Sequence, residues 1–167
     1  MRFATGLSQE CLEVLEKEAS MPTIATDPKV LGANYNRAFN AHDEVVLKGL
    51  YADNAKFLAP GDVRLSGKDA ISQYTNSWMK AMPDAKINIT HEIVSGPWLV
   101  QEFTLTGTHT GPLTGPMGTI QATNRKVTGP SVVLNRFEND LIVESRLYFD
   151  QVHVLNQLGV MPVALKN

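Results

Sequence analysis

The spacing of apolar residues along the chain changes after Pro83. Before it, apolar residues recur every three to four positions, which is typical of amphipathic helices. After it, apolar and polar residues alternate in short runs, which is typical of strands with one buried face. We predict a short N-terminal helix over residues 8–20, then three helices up to Pro83, then a set of strands.

Capping residues indicate where the first two of these three helices begin. Asp27 is followed by Pro28, the combination of an N-cap acceptor and a first-turn proline, so we expect a helix from there to about Ala41. Asp43 is expected to cap a second, shorter helix that ends near Tyr51.

The third helix is predicted to begin at Ser66, which has the spacing of a capping box with Asp69, and to end at Pro83. The apolar faces of the first and third helices comprise Leu31, Tyr35, Ala38 and Phe39, and then Ile71, Tyr74, Thr75, Trp78 and Met82. By their period, these are ordinary core positions.

Four segments of the second half read as strands of an antiparallel meander. They are "KINITHEIV", "WLVQEFTLTGTH", "SVVLNRFE" and "LIVESRLYF", and the last two flank the turn "ND". The glycine-rich segment "GPLTGPMG" is interpreted as a loop between strands, because no helix follows it as a phosphate-binding loop requires. Helices followed by strands predict an α+β domain in which helices close one side of a curved sheet.

A three-residue connection "END" in the last hairpin fixes which residues of its strands face each other. The expected pairs are Val133 with Leu147 and Asn135 with Ser145 on one face, and Arg136 with Glu144 on the other. The first face, completed by Phe137 and Phe149, is largely apolar. The second face carries Val132, Leu134 and Tyr148, and an apolar surface of this kind predicts a homodimer.

Composition and charge exclude several function classes. The 167 residues have a net charge of -2 and a pI near 6.1, which argues against nucleic acid and anionic membranes as partners. Cys11 is the only cysteine, so we expect a reducing, cytoplasmic location. The histidines at 42, 91, 109 and 153 have no metal-ligand spacing. The first residues lack a signal-peptide pattern, so the mature chain is expected to be the whole chain. No metal and no organic cofactor are expected.

Three separated stretches of the chain resemble the SnoaL-like polyketide cyclases of the nuclear-transport-factor-2-like superfamily. They are "NYNRAFNAHD" with "LYADNAKFLAPG" and "SGKDAI", then "GTHTGPLTG", and finally Glu144, Asp150, Leu155, Gln157, Leu158 and Gly159. The resemblance covers residues 27–161. It implies a cone-shaped α+β barrel, a strongly curved and mostly antiparallel sheet closed by about three helices around an apolar pocket. Residues 1–26 would form a helical extension and residues 27–167 the barrel domain.

The catalytic residues of the relatives are not carried over with the resemblance. By spacing, the acid/base aspartate of the cyclases falls at Leu147 and their pocket histidine at Val133. The proton-shuttling aspartate of the ketosteroid isomerases falls at Ala59, and the Arg-x-Asp pair of the limonene epoxide hydrolases at Glu102 and Thr104. None of these three mechanisms is intact in the chain.

Asp150 lies where a strand passes into a helix that Gly159 can end. A carboxylate at such a place caps the helix by accepting from free backbone N–H groups, and the same carboxylate can act as an acid or base. Capping explains Asp150 without any chemistry, and a catalytic role is the alternative.

Glu102 and His109 are the other candidate catalytic residues. Strict alternation places Glu102 on one face of its strand with Trp98, Val100 and Thr104, and the resemblance turns that face toward the pocket. There, desolvation by Trp98 would raise the pKa of the carboxyl and suit it for proton transfer. Alternatively, the face with Leu99, Phe103 and Leu105 is the core and Glu102 is solvated.

Two histidines on strands have different expected roles. His109 ends its strand among threonines and is either a hydrogen-bonded structural residue or a base. His91 lies among isoleucines and is expected to be a core histidine.

Two functions remain open from the sequence. One is a small-molecule enzyme that acts on an apolar, carbonyl-containing metabolite by cofactor-free acid/base chemistry, as an isomerase, cyclase or hydrolase. The other is a noncatalytic binding or assembly module of the same fold. The candidate catalytic residues are Glu102, His109 and Asp150. The expected pocket residues are Tyr35, Trp78, Met82, Trp98, Val133, Asn135, Ser145, Leu147 and Phe149.

Overall fold

A computed structural model of the protein describes residues 26–115 and 118–160, and the helix predicted over residues 8–20 lies outside these ranges. The helices are α1 (Pro28–Ala41), α2 (Glu44–Gly49), α3 (Lys68–Ala81) and α4 (Gln151–Leu158). The strands are β1 (Tyr51–Ala59), β2 (Val63–Ser66), β3 (Lys86–Ser95), β4 (Trp98–Thr108), β5 (Leu113–Gly115), β6 (Gly118–Ile120), β7 (Lys126–Glu138) and β8 (Leu141–Phe149). The α+β class predicted from the sequence is confirmed.

The first two helices begin at the predicted caps. The side chain of Asp27 accepts from the backbone N–H of Lys29, and that of Asp43 accepts from Val46. Helix α2 is shorter than predicted, because it ends at Gly49 and Tyr51 already opens β1.

The capping box predicted for the third helix is wrong. Gly67 is the N-cap of α3 and makes no side-chain cap, while Ser66 is the last residue of β2. Asp69 instead forms an exposed ion pair with Lys48 on α2, at 2.5 Å. A glycine at φ 92° can make the sharp entry into the helix that a serine would resist.

Six strands form one sheet in the order β2-β1-β8-β7-β4-β3. All neighbours are antiparallel except β1 and β8, which pair in parallel. The predicted meander is the part β3-β4-β7-β8. The sheet is large and curved, but it does not close into a full barrel, because β2 and β3 remain its two edges.

Two hairpins lie outside the predicted meander. Strands β1 and β2 pair through Lys56 with Ser66 to Ala59 with Val63. The segment predicted to be a loop, "GPLTGPMG", contributes to β5 and β6, which form a separate two-stranded sheet. That prediction is wrong in this respect.

The register of the β7–β8 hairpin is as predicted, although its connection differs. Val133 pairs with Leu147 and Asn135 with Ser145. The turn has two residues, Asn139 and Asp140, both with positive φ, and Glu138 pairs with Leu141. A bulge between the pairs Arg136–Glu144 and Phe137–Ile142 inserts one extra residue in β8. A connection of residues 138–140 would by itself pair Phe137 with Leu141, so the observed pairs come from the two-residue turn together with the one-residue bulge.

Helix α1 packs directly on the sheet at Gly32. A Cβ built at this glycine would overlap Leu99 Cδ2 on β4 and lie 3.1 Å from Gln101 Nε2. Leu99 and Gln101 are both fully buried, so neither has free space into which to move. The absence of a side chain at residue 32 therefore sets how closely the helix approaches the sheet.

We predict that Gly32→Ala lowers the free energy of unfolding by about 1–2 kcal/mol, because the overlap with Leu99 outweighs the gain in helix propensity. Gly49→Ala is the matched control, since a Cβ there has no neighbour within 4 Å. Urea unfolding of both variants measures the difference. A Gly32→Ala protein as stable as Gly49→Ala would show that α1 does not pack tightly on β4.

Candidate functional site

A large cavity lies between the concave face of the sheet and the helices. Its empty space, open mouth included, is about 1000 Å³. Its walls come from α1, α3, α4 and the inner faces of β1, β3, β4, β7 and β8. The lining side chains include Tyr35, Tyr51, Trp78, Met82, Phe103, Leu105, Val133, Ser145, Leu147, Phe149, Asp150 and His153.

Most of the cavity wall is apolar. Val133 and Leu147, the two positions that correspond by spacing to the cyclases' histidine and aspartate, form a cross-strand pair and both line the cavity. Trp78 on α3 makes an edge-on contact with Phe149, with ring centroids 5.8 Å apart. Seven of the side chains expected in the pocket therefore line the cavity: Tyr35, Trp78, Met82, Val133, Ser145, Leu147 and Phe149.

The prediction that Glu102 and Trp98 face the pocket is wrong. Along β4 the odd-numbered residues are turned inward, and Leu99, Gln101 and Phe103 are buried. Glu102 lies on the outer face, where half of its side chain is exposed, and its carboxylate is 3.4 Å from His91 Nδ1. The alternative assignment of the strand, in which Leu99, Phe103 and Leu105 form the core face, is the one the structure adopts.

Trp98 lies on the outer face under two arginine side chains. The guanidinium carbons of Arg136 and Arg146 are 5.9 and 5.5 Å from its ring centroid, at distances that suit cation–π contacts. Both arginines also bind Glu144, Arg146 at 2.5 Å and Arg136 at 3.4 Å. The hydrogen bond from Arg146, more than the one from Arg136, holds the pKa of Glu144 below its usual value.

The prediction that His91 is a core histidine is also wrong. A bulge in β3 between Ile89 and His91 shifts the alternation by one residue. Ile87 is buried as expected, but His91 is 77% exposed and Ile93 is also exposed, because both lie beyond the bulge on the outer face.

His109 is buried but is not among the cavity-lining residues. Its Nδ1 accepts from the backbone N–H of Thr123 at 3.2 Å and lies 3.1 Å from the Thr123 hydroxyl. Its Nε2 is buried and has no hydrogen-bond partner among the described residues. Burial lowers the pKa of His109, which favours the neutral ring. The environment is that of a structural histidine in the segment between β4 and β5.

Asp150 is the N-cap of α4 and also lies at the cavity wall. Its Oδ1 accepts from the backbone N–H of His153 at 2.9 Å, and Gly159 ends the helix with φ 73°. The His153 side chain lines the cavity beside it, and both residues are exposed. Among the cavity-lining residues of the described ranges, Asp150 is the one carboxylate and His153 the one imidazole.

A polar region lies elsewhere in the same cavity, where Tyr35, Tyr51 and Ser145 meet. The ring centroids of Tyr35 and Tyr51 are 6.2 Å apart, and the two rings make an edge-on contact. Burial raises the pKa of Tyr35 and raises that of Tyr51 further, so both phenols are neutral donors at physiological pH. The Ser145 hydroxyl is near enough to Tyr51 to perturb the tyrosine's pKa but has no well-aligned hydrogen bond.

Asn135 was also expected in the pocket wall and lies just behind it. It is 2% exposed, between Leu99 and Ser145 on the inner face of the sheet, and is not itself a lining residue.

Tyr51 and His153 also line the cavity, although neither was predicted to do so. The signal for Tyr51 is the weak alternation of β1, in which residues 51, 55 and 57 are buried. The signal for His153 is its position one turn after a helix cap.

Within the described parts of the chain, no group of three or more histidine, cysteine, aspartate or glutamate side chains is placed to hold a metal ion. No helix in these parts has the length and apolarity needed to cross a membrane.

Comparison with solved structures shows the same fold in distant relatives. AclR from Streptomyces galilaeus, provisionally described as a hydroxylase, is 22% identical, with 80% of this chain and 96% of that chain covered and a TM-score of 0.68. A provisionally described SnoaL-like polyketide cyclase from Jannaschia sp. is 16% identical, with 84% and 100% covered and a TM-score of 0.69. IdmH from Streptomyces antibioticus, provisionally described as a polyketide cyclase, is 23% identical, with 81% and 100% covered and a TM-score of 0.67. At these identities the likeness establishes the fold alone.

Sequence comparison establishes the family. No curated protein sequence matches the chain. The sequence profile of the SnoaL-like polyketide cyclases, by contrast, matches residues 29–158, from the first turn of α1 to the last residue of α4. The match spans well over half of the chain and includes every element that builds the cavity. The chain therefore belongs to the SnoaL-like polyketide cyclase family.

Proposed function

We propose that the protein is a small-molecule enzyme that binds an apolar, carbonyl-containing metabolite in the cavity and moves a proton on it without a cofactor. Isomerisation, cyclisation and hydrolysis each require only a positioned acid or base and a site that excludes water. The observation that carries the proposal is the position of Asp150, a carboxylate at the wall of a cavity whose other walls are largely apolar.

The local structure of Asp150 supports a role as the base. The N–H of His153 fixes one carboxylate oxygen, Oδ1, while Oδ2 has no hydrogen-bond partner among the described residues. A carboxylate held by one oxygen keeps the other free for a substrate C–H or O–H. The His153 side chain lines the cavity beside it and supplies two ring nitrogens that can donate or accept a hydrogen bond.

A different assignment, a noncatalytic binding module, has one observation in its favour. The cross-strand pair Val133 and Leu147 places two apolar side chains at the positions that the resemblance gives to the cyclases' histidine and aspartate. A pocket with that pair alone could bind an apolar ligand but could not exchange protons with it. The two functions therefore differ in whether Asp150 and His153 exchange protons with the bound ligand.

Exchange of deuterium into a ligand tests the proposal directly. In D2O, the protein is expected to accelerate exchange at carbons next to the carbonyl of at least one compound in a panel of apolar polyketide, terpenoid and steroid ketones. Asp150→Asn is expected to slow this exchange about 100-fold or more, because the amide cannot accept the proton. NMR of the ketone measures the rate.

The capping role of Asp150 supplies the control. Asp150→Asn retains an acceptor for the His153 N–H, so the free energy of unfolding should change by less than about 0.5 kcal/mol, whereas Asp150→Ala should lose about 0.5–2 kcal/mol. Wild-type exchange rates in the Asp150→Asn protein would contradict the catalytic role and leave Asp150 as a cap alone.

We also propose that the outer face of the sheet forms a homodimer interface. Val132, Leu134 and Tyr148 lie on this face, and more than half of Tyr148 is exposed. The ion pairs of Glu144 with Arg136 and Arg146 lie on the same face. Apolar side chains with a charged group beside them suit a self-complementary contact in which the charges set the register.

Sedimentation equilibrium tests this contact. We expect a dimer at micromolar concentration and expect Leu134→Arg to shift it to a monomer, because the new charge would be buried against its own copy. Val45→Arg is the control, since Val45 is 82% exposed on α2, away from the sheet face. A monomeric wild-type protein would remove the proposal.

A further inference from the structure

A second cleft lies beside the cavity, between the small sheet of β5 and β6 and the helices α3 and α4. Pro60 and Val63, at the turn between β1 and β2, complete its lining. Its empty space, open side included, is about 710 Å³. The acid/base chemistry proposed for the cavity does not involve this cleft, so its occupant has to be inferred from its position and its lining.

The second cleft and the cavity share part of their walls. Four side chains line both spaces: Tyr74, Trp78, Phe149 and Val154. The three aromatic ones are half-buried, and Trp78 meets Phe149 edge-on, with ring centroids 5.8 Å apart. The partition between the two spaces therefore includes aromatic side chains, which can rotate between rotamers without a movement of the backbone.

The first turns of α4 contribute to both spaces. Asp150 and His153 line the cavity, whereas Gln151 and Leu155 line the second cleft. Asp150 directly follows Phe149, a residue of the shared wall, and caps the helix. A ligand that extends from the cavity into the second cleft therefore passes near the carboxylate of Asp150.

The lining of the second cleft suits hydrocarbon better than charged groups. Leu113, Ile120 and Leu155 supply apolar surface, and none of its lining residues in the described ranges carries a charge. The hydroxyls of Thr114 and Thr119 are 3.1 Å apart and bind each other. An aliphatic chain that leaves water for such a cleft is stabilised by the burial of its apolar surface.

We propose that the second cleft binds an aliphatic arm of the ligand whose ring system occupies the cavity. The ring and the arm lie on opposite sides of the shared wall, and the carbonyl lies between them, near Asp150. The preferred substrates are then ketones with a ring system on one side of the carbonyl and an aliphatic chain on the other. The inference rests on the proposed function in one respect, that the cavity binds an apolar ketone, and it adds the shape of that ketone.

Two matched ketones test the proposal. They are 2-acetylnaphthalene and 2-hexanoylnaphthalene, which share the ring and the carbonyl and differ by four methylene groups in the chain. The wild-type protein is expected to bind the hexanoyl ketone about 30-fold more tightly, because the additional methylenes are buried in a cleft that is open on one side. Calorimetry measures both dissociation constants.

Two variants assign the preference to the second cleft. Leu155→Trp fills the cleft from α4, and Ile120→Lys places a charge on its opposite wall, on β6. In each we expect the ratio of the two dissociation constants to fall to about 1–5, through weaker binding of the hexanoyl ketone alone. Unchanged binding of 2-acetylnaphthalene shows that the cavity of the variant is intact.

Val152→Trp is the matched control. It introduces the same side chain on the same helix as Leu155→Trp, but Val152 is 53% exposed and lines neither the cavity nor the second cleft. This variant should retain the wild-type ratio.

The outcomes separate this inference from the proposed function. Equal affinities of the wild type for the two ketones, or a preference that survives in a variant whose cavity is intact, would overturn the second binding site. Deuterium exchange into 2-acetylnaphthalene, which does not need the second cleft, would still support the proposed function in that case. A preference that disappears in both variants of a protein without exchange activity would support the second site and refute the acid/base assignment. Binding of neither ketone would overturn the inference, and exchange into the other ketones of the panel would then decide the proposed function.

Discussion

The alternation of side chains across the pleated sheet is the constraint on which the rest of the structure depends. Successive residues of a strand point to opposite faces, so a shift of one residue exchanges the cavity wall and the outer surface. On β4 this alternation is unbroken, and it buries Leu99, Gln101 and Phe103 while exposing Glu102. On β3 and β8, one bulge each resets the alternation, and the bulge in β8 is what brings Ile142 inward beside Phe137.

The helices convert the inner face of the sheet into an enclosed site. Helix α1 can approach β4 closely because residue 32 is a glycine, and α3 contributes the aromatic edge of Trp78 against Phe149. The result is a largely apolar cavity whose polar groups include Ser145 beside Tyr35 and Tyr51, and Asp150 beside His153. In an apolar enclosure each such group interacts more strongly than it would in water, so their positions determine what the cavity can bind.

The sequence predicted the parts of this structure that depend on local chemistry. Asp27, Asp43 and Asp150 cap helices as expected, since an acceptor before a helix requires no tertiary information. The pairing of Val133 with Leu147 was also predicted, since both strands are contiguous in the sequence, but the two-residue turn and the bulge in β8 that produce it were not. The orientation of β4 did not follow, because both of its faces carry large apolar residues and only packing against α1 decides between them. The bulge before His91 was equally hidden, since no glycine or proline marks it.

The central claim is that an apolar ligand enters the cavity, and the two tryptophans offer the most direct measurement of it. Trp78 lines the cavity and Trp98 lies on the outer face, and the chain has no other tryptophan. Bromocyclohexane is a small apolar molecule that quenches tryptophan fluorescence on contact. In a Trp98→Phe protein, its titration is expected to quench Trp78 with a saturable, hyperbolic dependence. In a Trp78→Phe protein, Trp98 should show only weak quenching that rises linearly with concentration. Saturable quenching of Trp98, or linear quenching of Trp78, would contradict the account.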